Sequence, residues 1–343
     1  SEHTGDLEDA SVYRNYSRSI EQLCGLFDIR PELFACDLHP QYFSSRHIRT
    51  MSTKKTVKVQ HHWAHIASVM AEHGLSRPVI GIAADGTGYG DAGAVWGCEC
   101  LIASLHGYER FAHLAYFDIP GADRASIEAV RPLTSLLRQA CGRDFNLKDF
   151  SWLLERIEPD REKLRIINEQ LTKNINTVRT SSLGRVFDAV AAAAGLGNCN
   201  RYDAELPMAL EAAAAGETDT EGVYGFSIRE KGPLPLQIDI TAMIREITAD
   251  IRRNRPVSET AAAFHRTLAE IFRTIAGKAR KKTGISTAAL SGGVFCNRLL
   301  SELTINALKD DGFDVKCNIR FPSNDGGISL GQAAIAASRG EKN

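Results

Sequence analysis

No stretch of the 343-residue chain stays apolar over the roughly 18–20 residues that a membrane-spanning helix needs. Its polar first residues hold no signal-peptide core, so neither a membrane span nor a membrane partner is expected. Charge of one sign is not in excess: 41 basic residues stand against 42 acidic ones, and no basic stripe points to a nucleic-acid partner. Eight cysteines occur but never as CxxC, which excludes the common zinc-finger spacings and argues against a disulfide framework. Scattered in this way, they fit a reducing cytoplasm. A GxxxxGK[ST] loop is missing, as is GxGxxG within a βαβ unit, so the common nucleotide-binding fingerprints do not apply. No short-period repeat, coiled coil or low-complexity tract breaks the chain. What remains is a globular composition, 43% hydrophobic, long enough for about two domains.

The hydrophobic periods alternate between helix and strand. Helical spacing of Val12, Tyr13, Tyr16, Ile20, Leu23 and Phe27 predicts a helix over 8–27. Short strands are predicted at 33–36 and 56–59, a buried strand at 79–84, and an antiparallel meander over 94–105 and 108–117. Residues 126–216 read as mostly helical, broken at Pro132, Gly142, Pro159 and Gly195–Gly197. A strand at 234–238 and helices near 240–251 and 257–282 follow. The last part reads as strand (288–290), helix (296–309), strand (313–317) and helix (327–338). The whole is a mixed α/β protein with a helical insertion.

Two features carry chemistry. His61 and His65 are four apart at the start of a predicted helix, which places both imidazoles on one face, one turn apart. The spacing suits two ligands of one metal ion, though surface histidines fit it as well. Three glycine-rich turns close predicted strands: Asp85–Gly90, Ser291–Gly293 and Asn324–Gly327. Glycines let backbone N–H groups approach a phosphate, and a carboxylate at a strand end can hold a metal. The second and third turns lead into helices, whose N-termini attract anions.

Taken in order, the motifs resemble a known family. His61-His62-Trp63-Ala64-His65, Asp85-Gly86-Thr87-Gly88-Tyr89-Gly90, Val95-Trp96-Gly97 with Glu99, the run Thr180–Ala189, the run Leu290–Arg298 and the run Asn324–Gln332 follow one another. Gly5–Glu8 and Cys36–Pro40 add to the set. Nearly the whole chain is similar to the C-terminal carbamoyltransferase domain of the hydrogenase maturation protein HypF. That domain resembles the TsaD family and, more distantly, the two-lobed, actin-like ATPases of RNase H-like fold.

The resemblance implies a first lobe of residues 1–77 plus 325–343, and a second lobe of 78–324 with a helical insertion around 120–230. It implies metal ligands at His61, His65, Asp85 and Asp325, with His62 set aside as supporting or structural. Iron, zinc or manganese suits that donor set. Gly86, Thr87 and Gly88 would cradle phosphate, Gly292 and Gly293 would approach the nucleotide, Asn297 would orient it, and Asp188 would hold the ribose. Without the resemblance, Asp188 reads as a helix-surface residue beside Arg185, and Glu99 stays open between a site group and an ordinary strand residue. The implied reaction moves a carbamoyl group from carbamoyl-adenylate, made from ATP and carbamoyl phosphate with magnesium as an accompanying ion, to the C-terminal cysteine of HypE. No protein nucleophile is needed, because AMP is already a good leaving group. Cys296 is expected to fill a hydrophobic helix-start position. A small-molecule O-carbamoyltransferase and a non-catalytic module that binds nucleotide or HypE remain as alternatives.

Four departures qualify the picture. The family's acylphosphatase, zinc-finger and adenylate-forming domains have no counterpart here, so the donor would come from an upstream domain or a separate chain. The first strands of the first lobe also have no counterpart. Arg201–Pro207 is an altered form of a family Tyr-Glu-Gly stretch, and Cys98 stands where a second glycine is usual.

Overall fold

The computed structural model describes residues 4–50, 55–90, 93–217, 222–230, 232 and 235–340. Strands are β1 (Leu33–Asp37), β2 (Lys55–Val59), β3 (Val79–Tyr89), β4 (Val95–Ser104), β5 (Gly107–Leu114) and β6 (Phe117–Pro120). They continue with β7 (Thr177–Thr180), β8 (Ser227–Arg229), β9 (Leu236–Asp239), β10 (Thr287–Ser291) and β11 (Asp314–Cys317). Helices α1 (Ala10–Leu26), α2 (Phe43–Thr50) and α3 (His61–Glu72) precede β3. The insertion holds α4 (Arg124–Ile127), α5 (Val130–Cys141), α6 (Ser151–Ile157), α7 (Arg161–Lys173), α8 (Leu183–Ala193) and α9 (Glu205–Ala214). Then come α10 (Thr241–Arg252), α11 (Val257–Thr283), α12 (Arg298–Asp310) and α13 (Ile328–Gly340).

Two sheets organise these elements. β1 and β2 form a parallel pair. The larger, mixed sheet runs β11-β10-β3-β4-β5-β9-β8, with β7 joined to β4 and β6. Its central strand β3 is apolar on both faces, which is why Val79–Ala84 reads as a continuous run. Ile80, Ile82 and Ala84 face the core that includes Phe187 of α8 and Phe264 of α11. Val79 and Ala83 face Ala64, Ile66 and Val69 of α3 and Ile335 of α13.

Helix α3 is the platform of the site. Gln60 caps it, its side-chain oxygen accepting from the Trp63 N–H at 2.9 Å. Every residue from His61 to Met70 is buried. Burying Trp63, Ile66, Val69 and Met70 contributes about 1.5–3 kcal/mol each, so the histidines sit on a helix that cannot shift cheaply.

The structure alters several expectations. β3 does not end at Asp85: it continues through the glycine segment to Tyr89, with a register shift against β4 between Ala84 and Gly88. The segment is a bulged hairpin arm rather than a turn, because Gly88 and Tyr89 still pair with Trp96 and Val95 of β4 beyond the unpaired Asp85–Thr87. Pro132 does not break a helix; it lies in the first turn of α5, where its missing N–H has no intrahelical partner to lose. The short strands β7 and β8 escape the sequence reading, since three or four residues show no clear period. Leu234, the expected start of β9, lies outside the described residues.

Candidate metal centre

Four donor residues converge where α3, β3 and the turn before α13 meet. Potential ligand atoms of His61, His65, Asp85 and Asp325 all lie within 4.8 Å of one another. Asp85 Oδ2 is 3.1 Å from His61 Nε2 and 3.2 Å from His65 Nε2. Asp325 Oδ1 is 3.5 Å from each of the same nitrogens. The histidines and Asp85 are buried, whereas the Asp325 side chain is 71% exposed and marks the open side.

The other oxygen of Asp85 is also engaged. Its Oδ1 accepts from the N–H of Gly86 at 2.8 Å and of Gly293 at 3.2 Å, so the turn after β10 is tied to the hairpin through this carboxylate. Gly292 makes that approach possible. Its φ is +106°, and a side chain there would run into the Ala84 backbone. Burial opposes charge on Asp85, but hydrogen bonds with His61 and His65 dominate and hold its pKa well below the usual carboxylate range.

A further carboxylate, Asp37 at the end of β1, orients the first ligand. Asp37 Oδ2 is 3.0 Å from His61 Nδ1, and Oδ1 accepts the His39 N–H at 2.7 Å. Burial works against protonation of His61, yet Asp325, Asp37 and Asp85 outweigh it and raise its pKa well above the ordinary value. In the neutral ring, Asp37 fixes the proton on Nδ1 and turns the Nε2 lone pair toward two carboxylates. That contact is repulsive unless a proton or a metal cation lies between them. Two imidazoles, two carboxylates and a carboxylate behind one histidine therefore fit a borderline divalent ion such as zinc, iron or manganese.

His62 does not join the donor set. Gln60 Nε2 lies 3.2 Å from its Nδ1, its Nε2 has no partner among the described residues, and burial pushes its pKa well down. It packs beside Gly88, where a methyl group would sit 2.5 Å from the His62 ring and 2.6 Å from that of His61. Gly88 thus makes room for the two imidazoles. Gly86 and exposed Thr87 remain on the open part of the hairpin. Ser182, the N-cap of α8, donates its hydroxyl hydrogen bond to the Gly86 carbonyl, bringing that helix start to the same place.

Other expected residues are placed differently. Asp188 is not a surface residue: α8 is sandwiched in the core, and its carboxylate is buried, 2.6 Å from Arg185 Nε and 2.9 Å from Asn200 Nδ2. Asn297 caps α12, accepting the Leu300 N–H at 2.8 Å, while its amide nitrogen lies 2.9 Å from buried His265 Nε2. Both side chains are thus already hydrogen-bonded within the chain. Cys296 is exposed, contrary to the hydrophobic position expected of it, because the 3-10 turn Gly293–Cys296 delays α12 to Arg298. Glu99 is buried and braces the hairpin: Arg110 Nε is 2.6 Å away, and the Ser181 hydroxyl donates to it at 2.6 Å. The sequence reading gave no role to Asp37, although a carboxylate closing an apolar strand, the signal used for Asp85, was present there.

Fold and site together define a Kae1-like α/β domain. Residues 81–332 match the family model described as carbamoyltransferase, Kae1-like domain, second subdomain, and residues 1–72 match the HypF Kae1-like domain. The chain belongs to the HypF family. It is 36% identical over 345 residues to carbamoyltransferase HypF of Synechocystis sp., covering 97% of this chain and 43% of that protein. A HypF homolog of Cupriavidus necator is 32% identical over 351 residues, covering 97% of this chain and 84% of that one. Among solved structures, full-length HypF in a phosphate- and nucleotide-bound form is similar at a TM-score of 0.92 and 38% identity, covering all of this chain and 44% of that one. HypF of T. kodakarensis gives 0.88 and 29%, covering 99% and 45%. The chain thus spans less than half the length of several relatives that carry the name carbamoyltransferase.

Proposed function

We propose that the chain is the carbamoyl-transferring part of a HypF-type enzyme, moving the carbamoyl group of carbamoyl-adenylate to the C-terminal cysteine of HypE. The observation that carries this reading is the His61–His65–Asp85–Asp325 cluster, joined through Asp85 to two backbone N–H groups of glycine turns. A similar protein has been solved in a phosphate- and nucleotide-bound form, which supports a phosphate-bearing donor here, and a divalent ion at the cluster would supply positive charge to the donor's oxygens.

The chain's own residues then have defined work. Asp37 and Gln60 fix the rings of His61 and His62, and Asp85 locks the hairpin to the Ser291–Gly293 turn. A phosphate would lie beside exposed Thr87, next to the start of α8 that Ser182 ties to the Gly86 carbonyl. The incoming thiolate adds to the carbamoyl carbon, the carbon–oxygen bond to phosphate breaks, and AMP leaves with the electron pair. Positioning and charge stabilisation suffice for this step, so no cysteine of this chain is needed. The donor would come from an adenylate-forming domain or chain, with magnesium accompanying the ATP used to make it. Eight cysteines scattered without CxxC spacing suit work in a reducing cytoplasm.

The test supplies the purified chain with metal, carbamoyl-adenylate and HypE, and follows the mass of the HypE C-terminal peptide. A gain of one carbamoyl group that depends on the chain supports the reading. No gain, with nucleotide binding retained, favours a binding module; transfer only to small hydroxyl compounds favours an O-carbamoyltransferase.

A further inference from the structure

The loop between β1 and α2 brings an aromatic group next to Asp37, the carboxylate that backs His61. The rings of His39 and Tyr42 stack at 4.1 Å between centroids and 18° between planes. Tyr89, at the tip of the β3 arm, meets the His39 ring edge-on at 5.0 Å and 83°. The three rings therefore join the small sheet's loop to the hairpin that carries Asp85.

This wall is tied to the metal ligands on both sides. Asp37 holds the His39 backbone N–H with one oxygen and His61 with the other. Gln60 donates to the Tyr89 carbonyl at 3.1 Å while its side chain also reaches His62. His39 Nδ1 accepts the Gln41 N–H at 3.2 Å, which fixes the ring under Tyr42. Tyr42 itself is 38% exposed, and its hydroxyl has no hydrogen-bond partner among the described residues. Burial of the ring raises the phenol pKa; His61 opposes that rise, and Asp37, Asp325 and Asp85 reinforce it. The stack on His39, whose backbone N–H shares Asp37 with His61, sets the Tyr42 ring near the cluster, and its phenol is a hydrogen-bond donor. A phenol braced on one face, partly open, and next to a cation site is well placed to meet an oxygen acceptor there.

We propose that Tyr42 is a substrate-contacting residue of this centre, its hydroxyl donating a hydrogen bond to an oxygen of the phosphate-bearing ligand held at His61, His65, Asp85 and Asp325, with His39 as the positioning residue that holds its ring. The inference rests on the reading of the cluster as a metal and phosphate site. Its acceptor is either a phosphate oxygen or the carbamoyl oxygen, and two probes separate them.

The experiment measures binding of inorganic phosphate and of carbamoyl phosphate to the metal-loaded chain by calorimetry, for wild type, Tyr42→Phe and Tyr42→Ala. Tyr42→Phe keeps the stacked ring and removes only the hydroxyl, so a merely structural role predicts no change. The proposal expects affinity about 3–10-fold weaker in Tyr42→Phe if the acceptor is the neutral carbamoyl oxygen, and about 10-fold or more weaker if it is an ionised phosphate oxygen, with metal content unchanged. Weakening of both ligands assigns the phosphate oxygen; weakening of carbamoyl phosphate alone assigns the carbamoyl oxygen. Equal affinities in wild type and Tyr42→Phe overturn the proposal. Loss of metal from wild type, or no binding of either probe to it, defeats the underlying reading of the site and the proposal with it. Wild-type binding undiminished by the substitution defeats the Tyr42 contact alone.

Discussion

Replacing Asp37 by asparagine isolates the part of the site that the sequence did not flag. The substitution keeps an oxygen to accept the His39 N–H and removes the charge that faces His61 Nδ1 at 3.0 Å, so the β1 end stays hydrogen-bonded. What changes is the proton on His61. With the carboxylate present, Nδ1–H is fixed and Nε2 presents its lone pair; with an amide there, the ring is free to take the other tautomer or to turn. Loss of such a supporting carboxylate typically weakens metal affinity about 10–100-fold, which is about 1.4–2.7 kcal/mol. The group lies in the buried part of the site, with Asp37 6% and His61 2% exposed, so the upper half of that range is expected. The assay is competition for zinc against a chromophoric chelator, with the unfolding midpoint as a check on the fold. Zinc affinity within twofold of wild type in a folded Asp37→Asn protein would refute the ligand role of His61 Nε2 as described.

Glu99→Ala leaves the Arg110 guanidinium buried against Trp96 without its carboxylate, and a stability loss of about 3–5 kcal/mol is expected in urea unfolding. A loss below 1 kcal/mol would show that the pair does not brace the hairpin. His265 is buried and neutral: burial lowers its pKa to about 4, against 6.5 in a model peptide. The unfolded chain therefore takes up a proton first as pH falls, so stability from this group is present above pH 6.5 and is lost on acidification toward pH 4, by up to about 3 kcal/mol. Stability measured across that window should fall more steeply for wild type than for His265→Gln; parallel curves would contradict it. Asn297→Ala removes both the α12 cap and the His265 partner, and should cost about 1–2 kcal/mol in stability.

The parts of the fold that were legible in the sequence are those where one physical signal dominates. The periodicity of α1, the doubly buried run of β3 and the long apolar stripe of α11 each name their element. The i, i+4 spacing of His61 and His65 gave their shared face, and the ordered motifs brought Asp85 and Asp325 to the same set. Less was readable where a residue's use depends on distant neighbours. Asp188 looks like a surface carboxylate until α8 is packed on both sides, and nothing local marks the pairing of the Asn297 amide with His265, 32 residues earlier. Gly88 carries no mark distinguishing room for a phosphate from room for an imidazole ring. Tyr42 stands two residues beyond the quoted Cys36–Pro40 motif, and only the stacking on His39 shows where it lies.

The central claim is that His61, His65, Asp85 and Asp325 hold one divalent ion. Its most direct test is the metal content of the chain after incubation with zinc, iron(II) or manganese(II) and gel filtration, for wild type, His61→Ala and His65→Ala. The account predicts about one ion per wild-type chain with at least one of these metals, and far less than one in either folded variant. Full metal retention by both variants would contradict it.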